Sequence, residues 1–186
     1  MSEQEQQAIL LCQKGNLEAF GELYDLYFNK IYRFVYYKTY HQETSQDITS
    51  ETFLKALKAI SQFNTKGSFQ AWLFKIARNT VIDFYRTRKQ TVNIEDVWEL
   101  GASSDLAGEL NNREQYQKIK QYMQGLTLEQ REIITLRIWE NLTYQEIAQI
   151  IGKNEGACKM IYSRTIKKVK EEMNPALFVL CLLMLR

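Results

Sequence analysis

The stretch of sequence that decides the fold is residues 46–89, QDITSETFLKALKAISQFNTKGSFQAWLFKIARNTVIDFYRTRK. Apolar residues recur in it at spacings of three and four, which predicts two amphipathic helices, over about 45–60 and 68–88. A short polar turn separates these helices, and the second one ends in a basic cluster. Aromatic rings next to cations fit a surface that holds unpaired bases and backbone phosphates.

Helical periodicity continues over most of the remaining chain, and no run of alternating β-branched and polar residues occurs. The predicted fold class is therefore all-α, with two small helical domains joined by a flexible acidic linker. Thr44 or Ser45 is the predicted N-cap of the helix over 45–60, and Gly15-Asn16 divides the first two helices. The further predicted helices cover about 4–14, 17–40, 112–125, 128–140, 144–151 and 155–173.

The formal net charge of +2 is unevenly distributed along the chain. Residues 1–89 carry net +3, residues 90–112 carry net −5, and residues 113–186 carry net +4. Periodicity is lost over 90–112, so we predict domains over 1–89 and 113–174, separated by an acidic linker and followed by an apolar tail over 175–186. Two basic blocks favour a polyanionic partner, although two ordinary solvated surfaces would give the same charges.

The second half carries the spacing of a helix-turn-helix. Capping boxes at Thr127 and Thr143 each open a helix, and Gly152 ends the second one before Asn154 opens the last. The last helix combines an apolar face with a basic outer face, which favours docking on duplex DNA. An amphipathic surface helix with solvated lysines is the alternative interpretation. The residues predicted on the inner face are Cys158, Tyr162, Thr165 and Val169.

The sequence lacks the residue patterns of metal, cofactor or covalent chemistry. Its three cysteines lie far apart and His41 is the single histidine, which predicts reduced thiols with no metal site and no cofactor. Without a phosphate-binding glycine loop or a Ser/His/Asp arrangement, neither enzyme activity nor a small-molecule substrate is expected. The polar, acidic start does not fit a signal peptide, which predicts a cytoplasmic protein.

The tail is the one segment that these patterns leave without a role. Residues 176–185, ALFVLCLLML, are too few to span a membrane, which takes about 20 residues. We expect the tail to pack onto the last domain. Binding to a partner groove, docking on the first domain and weak membrane attachment are the alternatives.

Taken together, these motifs resemble the bacterial sigma-70 family, and more narrowly its short, two-domain extracytoplasmic-function (ECF) group. The resemblance implies an RNA polymerase sigma factor that binds core polymerase, recognises promoter DNA and promotes strand opening. The acidic linker resembles the segment that threads through the polymerase, with a simple tether as the alternative. The similar segments are 10–27 (LLCQKGNLEAFGELYDLY), 47–53 (DITSETF), 67–73 (GSFQAWL), 76–79 (IARN), 142–151 and 156–168.

For protein partners, the resemblance implies contacts with the clamp helices and the flap of core polymerase, and an anti-sigma factor. The residues implied at the clamp are Asp47, Ile48, Glu51 and Phe53. Asp47 and Glu51 are four residues apart on one predicted helix, so they can pair together with a basic partner surface. Two acids near a helix N-terminus are also stabilised by the helix dipole alone.

For the minus-ten element, the resemblance implies a turn that captures a flipped base and a helix that holds phosphates of the opened, single-stranded DNA. Asn79 can both donate and accept hydrogen bonds at a base edge. Trp72 fits core packing as well as DNA contact. The residues predicted to contact this element are Phe63, Asn64, Lys66, Ser68, Phe69, Trp72, Lys75, Arg78, Asn79, Arg86 and Arg88.

For the minus-thirty-five element, the resemblance implies that the last helix enters the major groove of duplex DNA. Family members usually carry Thr-Val-Lys-Ser-Arg where this chain has Ala157-Cys158-Lys159-Met160-Ile161, and Met160 and Ile161 offer thymine methyl contacts rather than hydrogen bonds. The residues predicted to contact this element are Thr143, Tyr144, Asn154, Glu155, Ala157, Lys159, Met160, Ser163, Arg164 and Lys167.

Two other functions stay open on the sequence. A stand-alone helix-turn-helix regulator would need only the second half, and residues 46–89 argue against it because a simple repressor does not melt DNA. A sigma-like regulator or decoy would bind polymerase or DNA without initiating transcription. The altered stretch 157–161 keeps that possibility open.

Overall fold

The computed structural model describes residues 2–89 and 125–172. Every regular element in these two ranges is helical, as the all-α prediction requires. The chain divides into two compact units, Met1–Ser104 and Asp105–Arg186, which are described separately. The acidic linker over 90–112, the tail over 175–186 and all but the last residue of the predicted helix over 112–125 lie outside the described residues.

Four helices and one 3-10 turn build the described part of the first unit, close to the predicted positions. The helices are α1 (Glu3–Gln13), α2 (Phe20–Thr39), α3 (Gln42–Ala59) and α4 (Phe69–Lys89), with the 3-10 turn at Ile60–Gln62 between α3 and α4.

The start of α2 lies three residues later than predicted. The side-chain oxygen of Asn16 accepts hydrogen bonds from the backbone N–H groups of Glu18 and Ala19, at 3.1 and 3.4 Å, and so forms a separate turn. Leu17 belongs to this turn and is 62% exposed, so it is not part of the buried face of α2.

The N-cap of α3 is His41, so the prediction of Thr44 or Ser45 is wrong. The ring Nδ1 of His41 accepts a hydrogen bond from the backbone N–H of Thr44 at 3.2 Å. Ser45 is instead buried, with its hydroxyl 2.6 Å from both Thr39 Oγ1 and the carbonyl oxygen of His41. A histidine ring places an acceptor where the N-cap rule expects a short hydroxyl or carboxamide side chain.

An aromatic cluster holds α4 against α2. Phe69, at the first position of α4, is 1% exposed, and its ring centroid lies 5.5 Å from that of Tyr27 and 5.4 Å from those of Phe63 and Trp72. Burying one such ring stabilises a fold by about 1.5–3 kcal/mol. Aromatic pairs at these separations add to that through their ring geometry. The cluster therefore fixes where α4 begins.

A buried hydrogen bond attaches α1 to α2. The hydroxyl of Tyr27 donates to Glu5 Oε1 at 2.7 Å in the interior. Glu5 also accepts from the backbone N–H of Ser2, which completes a capping box at the start of α1. A buried carboxylate without such donors would cost several kcal/mol, so the pairing is a condition for burying this end of α1.

The second unit contains the predicted helix-turn-helix. Its elements are α5 (Leu128–Ile134), a π-helical turn (Thr135–Trp139), α6 (Tyr144–Ile151) and α7 (Glu155–Glu172). Both predicted capping boxes are formed, at Thr127 with Gln130 and at Thr143 with Glu146. Gly152 ends α6 in the left-handed conformation with φ of +74°, as its position in the sequence indicates.

The π-helical turn corrects the single helix predicted over 128–140. The backbone N–H of Glu140 bonds to the carbonyl of Thr135 at 3.3 Å, five residues back, instead of four. The backbone N–H of Leu142 then reaches the carbonyl of Leu136 at 3.0 Å. The wider turn thus leads directly into the start of α6.

The interior of the second unit is mainly aliphatic. Ile133, Leu136, Ile147 and Cys158 are fully buried. The predicted inner face of α7 is confirmed for Cys158, Thr165 and Val169, while Tyr162 is half-buried. Burial raises the pKa of the Cys158 thiol, which keeps it protonated as a small apolar core residue.

Residues 2–89 and 125–172 contain neither a membrane-spanning helix nor a candidate metal site. No helix in these ranges is long and apolar enough to cross a membrane. Nor do they contain a group of three or more His, Cys, Asp or Glu side chains arranged to hold a metal ion.

Candidate polymerase and nucleic-acid interfaces

The exposed face of α3 presents the two predicted docking acids. Asp47 and Glu51 are both exposed. Glu51 pairs along the helix with Lys55, with 2.8 Å between Oε1 and Nζ. Leu54 is 58% exposed and follows Glu51 by three residues, which places it on the same side of the helix. The face therefore combines acids with an uncovered apolar side chain.

The other two predicted polymerase contacts are buried. Ile48 is 1% exposed and Phe53 is 4% exposed. The ring of Phe53 packs 4.7 Å from that of Tyr24 and 6.3 Å from that of Phe20. This corrects the prediction that Ile48 and Phe53 contact the polymerase directly. Their burial assigns them to holding α3 against α2, which in turn positions Asp47 and Glu51.

Hydrogen bonds define the turn that precedes α4. The backbone N–H of Gly67 donates to the carbonyl of Asn64 at 2.8 Å, and that of Lys66 donates to the Asn64 side-chain oxygen at 3.0 Å. The Ser68 hydroxyl accepts from the N–H of Ala71 at 3.2 Å and caps α4. A Cβ on Gly67 would lie 3.3 Å from the Asn64 carbonyl oxygen, which is closer than most real contacts. Asn64 and Lys66 are exposed on this turn, and Ser68 is half-buried.

Gln13, which the sequence analysis did not single out, fastens this turn from α1. Its side-chain N–H group donates to the carbonyl oxygens of Ile60 and Phe63, at 3.1 and 2.8 Å. These bonds join residues 47 and 50 positions apart in the chain. The signal in the sequence is faint, since a glutamine at the end of a helix is ordinarily solvated.

Of the three aromatic rings predicted at the melting turn, only Trp72 is available to a base. Phe63 is 6% exposed and Phe69 is 1% exposed, whereas Trp72 is half-buried. This corrects the prediction that Phe63 and Phe69 contact DNA. Both support Trp72, whose ring lies 5.1 Å from Phe63 and 5.4 Å from Phe69. Trp72 thus packs on the interior and keeps part of its ring exposed, and its contact with DNA stays a prediction.

The outer face of α4 brings the other predicted minus-ten residues together. Lys75, Asn79 and Arg86 are exposed, and Arg78 is half-buried. Because positions 72, 75, 79 and 86 recur at helical spacing, their side chains follow one side of α4 from the turn onward. Asp83 pairs with Arg86, with 3.0 Å between Oδ1 and Nη2. The side chain of Arg88 lies outside the described residues.

At the start of the helix-turn-helix, an aromatic and cationic cluster surrounds Tyr144. The guanidinium of Arg137 lies 4.9 Å from the Tyr144 ring centroid, and the Tyr162 ring packs edge-on at 5.8 Å. Burial, followed by the proximity of Tyr144, raises the pKa of Tyr162, and Arg137 partly offsets the rise. Thr143 is exposed as the N-cap of α6, and Tyr144 is half-buried.

The outer face of α7 carries most of the predicted minus-thirty-five residues. Asn154 caps α7 by accepting a hydrogen bond from the N–H of Ala157 at 2.7 Å. Met160 is 46% exposed and Ile161 is half-buried, so Met160 belongs to the outer face. Lys167 lies 3.9 Å from Glu171, within reach of a weak ion pair. The exposed members of the predicted set on α7 are Glu155, Lys159, Met160, Ser163, Arg164 and Lys167.

Two family models match the parts of the chain that carry these faces. Sigma-70 region 2 matches residues 23–91, and Sigma-70 region 4 matches residues 116–169. The ECF RNA polymerase sigma factor SigM of Bacillus subtilis is 30% identical over 162 residues, which cover 82% of this chain and 94% of SigM. The chain belongs to the sigma-70 family. It is an ECF RNA polymerase sigma factor, as the sequence resemblance implied.

Further relatives and solved structures agree with this assignment. The ECF RNA polymerase sigma factor BldN of Streptomyces coelicolor is 36% identical over 83% of this chain, a match that spans 60% of BldN's length. The structure of CnrH in complex with the cytosolic domain of CnrY has a TM-score of 0.69 at 21% identity, covering 91% of this chain and 96% of that one. RpoE from Bartonella quintana, solved with the anti-sigma factor NepR, has a TM-score of 0.64 at 24% identity, covering 82% and 94%. At these identities the structural matches show the fold alone.

Membership in this family indicates which partners the exposed faces of α3, α4 and α7 could meet. A sigma factor acts with core RNA polymerase at promoter DNA. The first unit contains the region 2 match, including α3 and α4, and the second contains the helix-turn-helix of region 4. The predicted family, fold class and function of the chain are therefore confirmed.

Proposed function

We propose that in this sigma factor the first unit docks on core polymerase and opens the minus-ten element, while the second unit reads the minus-thirty-five element. The observation that carries the proposal is the outer face of α4. There Lys75, Asn79 and Arg86 line up behind Trp72 at a hydrogen-bonded turn. Cations, a base-reading amide and one available ring on a single face suit opened DNA. The proposed domains are 1–89 and 113–174, joined by an acidic linker over 90–112.

Docking on the clamp helices of the polymerase is assigned to Asp47 and Glu51. Both acids are exposed on α3 beside Leu54. An apolar centre with a charged rim is the usual composition of a protein interface. Charged rim residues mainly set the association rate and its dependence on salt. Contact with the flap of core polymerase is assigned to the second unit.

The docking assignment is tested with Asp47→Lys together with Glu51→Lys. We expect core polymerase binding to weaken by at least tenfold at low salt, because attraction to a basic surface becomes repulsion. Glu3→Lys together with Glu18→Lys is the matched control, since these exposed acids of the same unit lie outside α3. Fluorescence anisotropy of dye-labelled protein titrated with core polymerase measures both variants. Unchanged affinity of the α3 variant would remove the assignment.

Strand opening is assigned to the turn and outer face of α4. Trp72 offers a ring on which an extruded base stacks, and Asn64, Lys66 and Ser68 supply polar groups beside it. Asn79 reads a base edge, while Lys75, Arg78, Arg86 and Arg88 hold phosphates. A stacked base is worth about 1–3 kcal/mol, comparable with the cost of taking it out of the duplex.

Reading of the minus-thirty-five element is assigned to the outer face of α7 and the start of α6. Lys159, Arg164 and Lys167 provide phosphate attraction. Met160 is exposed at a position where a hydrogen-bonding side chain is usual in the family, so it reads thymine methyl groups. Thr143 and Asn154 present helix N-termini to the backbone. The other predicted contacts, Tyr144, Glu155, Ala157 and Ser163, lie around these positions.

We further propose that an anti-sigma factor holds this protein inactive. CnrH was solved with the cytosolic domain of CnrY, and RpoE with the anti-sigma factor NepR. The two-domain architecture that this chain shares with them supports an inhibitor of this kind. The protein would work in the cytoplasm at the nucleoid, without a cofactor, a small-molecule substrate or a catalytic activity of its own.

Run-off transcription tests the proposal as a whole. Purified core polymerase is incubated with and without the protein on fragmented genomic DNA from its source. Protein-dependent start sites are expected, and their shared upstream sequences would show what α7 reads. Polymerase binding without new transcripts would favour the second candidate, a sigma-like decoy. The observation that favours a decoy is that Met160 and Ile161 stand where family members usually carry hydrogen-bonding side chains.

A further inference from the structure

Lys55 is a cation shared between α3 and α4. Its Nζ lies 2.8 Å from Glu51 Oε1 on α3. It also lies 3.8 Å from Asp83 Oδ2 and donates to Thr80 Oγ1 at 3.3 Å, both on α4. The Glu51 and Thr80 oxygens lie within hydrogen-bond distance of the ammonium group, and the Asp83 oxygen lies within ion-pair distance. Lys55 therefore holds two helices together at one point, although its side chain is 40% exposed.

Asp83 divides its two oxygens between Lys55 and Arg86. Its Oδ2 faces Lys55, and its Oδ1 lies 3.0 Å from Arg86 Nη2. Four charges of alternating sign thus form a row from Glu51 through Lys55 and Asp83 to Arg86. One end of the row is a proposed polymerase contact, and the other end is a proposed DNA contact.

We propose that Lys55 and Asp83 are positioning residues that couple polymerase docking to DNA binding. In the free protein Glu51 holds Lys55, while Asp83 holds Arg86. When a basic group of the polymerase engages Glu51, Lys55 moves the remaining distance to Asp83. The Asp83–Arg86 pair then weakens, and the guanidinium of Arg86 becomes available to a DNA phosphate. This inference rests on the proposed function, because that function assigns Glu51 and Arg86 their partners.

The coupling is modest and electrostatic. The side chains of the row are between 40% and 76% exposed, so water and salt screen each pair. At low salt we expect about a two- to five-fold change in affinity, the size that exposed ion pairs support. Because coupling between two sites is reciprocal, DNA should raise the affinity for core polymerase by the same factor.

The test is a double-mutant cycle in the holoenzyme, formed from core polymerase and the full chain. The probe is a fluorescent forked promoter DNA that carries a start site found by run-off transcription. Lys55→Met and Arg86→Gln should each weaken DNA binding by about two- to five-fold. Combining them should weaken binding no further than Arg86→Gln alone, since both act through one guanidinium.

Two further variants separate coupling from general charge loss. Lys58→Met removes an exposed lysine of the same helix that makes no ion pair among the described residues, so it should leave DNA binding nearly unchanged. Asp83→Asn should release Arg86 permanently. It should tighten DNA binding by the protein without polymerase, and Lys55→Met should have no effect in that background.

The outcomes distinguish this inference from the function on which it rests. If the losses of DNA affinity for Lys55→Met and Arg86→Gln multiply in the double variant, the coupling is overturned. A loss of DNA affinity for Lys58→Met as large as that for Lys55→Met would overturn it as well. In both cases, wild-type binding to polymerase and DNA would still support the proposed function. Failure of the wild-type protein to bind either partner would overturn both.

Discussion

The helices that we propose to face DNA lie over different interiors in the two units. In the first unit, the turn before α4 rests on aromatic rings and is fastened by backbone and side-chain hydrogen bonds. In the second unit, α7 lies over an aliphatic core, and Asn154 caps its start. The difference fits the two proposed roles, because holding an extruded base would need a fixed turn with a supported ring. Entering a groove would need a helix of the right direction and charge.

The largest expected effect is on the aromatic interior of the first unit. Phe69→Ala should reduce the free energy of unfolding of this unit by about 3–5 kcal/mol, because it leaves a cavity under Trp72 and Phe63. Hydrogen exchange measured peptide by peptide reports on this unit separately from the other. A reduction of the free energy of unfolding below about 1 kcal/mol would show that the ring cluster collapses into the cavity. The aromatic interior would then not be the rigid support that separates the first unit from the second.

The next effect concerns the hydrogen-bonded reading of a base edge that we propose for Asn79 on α4. Asn79→Ala should slow promoter opening by about tenfold or more, since a lost bidentate base contact costs about 1–3 kcal/mol. Permanganate reactivity of unpaired thymines measures opening. Core polymerase affinity should not change, and Asn29→Ala, at an exposed position of α2, is the matched control. Normal opening by Asn79→Ala would mean that α4 acts on DNA mainly through its charges.

In the second unit, the direction of α7 depends on the turn at Gly152. Gly152→Ala places a side chain at φ of +74°, which costs about 1–2 kcal/mol. Gly156→Ala is the control, because that glycine has no positive φ and its added Cβ would lie 3.5 Å from Asn154 Oδ1, an ordinary contact. Hydrogen exchange measured at increasing temperature should show a lower unfolding midpoint temperature of the second unit for Gly152→Ala only. Equal midpoints for the two variants would contradict the importance of this turn.

The smallest effect tests whether α7 binds through phosphates. Lys159→Gln should lower the slope of log affinity against log salt concentration by about one for duplex DNA. Lys153→Gln is a suitable control, since Lys153 already pairs with Glu129, with 2.8 Å between Nζ and Oε1. An unchanged slope for Lys159→Gln would indicate that α7 presents another edge to the duplex.

The sequence predicted those features that depend on neighbouring residues. Helix positions, both capping boxes, the glycine at the end of α6 and the buried face of α7 follow from spacings within one element. The family resemblance supplied the candidate sites, and the structure then divided them into exposed residues and buried, supporting residues. Phe53 and Phe69 look like surface candidates in a motif, but their environment comes from α2, which a local pattern does not contain.

The features that the sequence did not predict depend on contacts between elements or on unusual caps. Gln13 bonds to carbonyls about fifty residues away, so no window around it carries the signal. His41 serves as an N-cap although histidine is not among the preferred residues. The π-helical turn at Thr135–Trp139 follows an ordinary helical periodicity and differs from it only in the bonding of its backbone.

The bonds from Gln13 set a limit on how this protein can be recombined with its relatives. The region 2 match begins at residue 23, so a chimera joined at that boundary would replace α1 and discard the donor that fastens the turn before α4. An exchange of promoter specificity between two sigma factors should therefore carry α1 along with region 2. Grafts that begin at Leu23 are expected to transfer the residues proposed to face DNA without the Gln13 hydrogen bonds that hold the turn before α4.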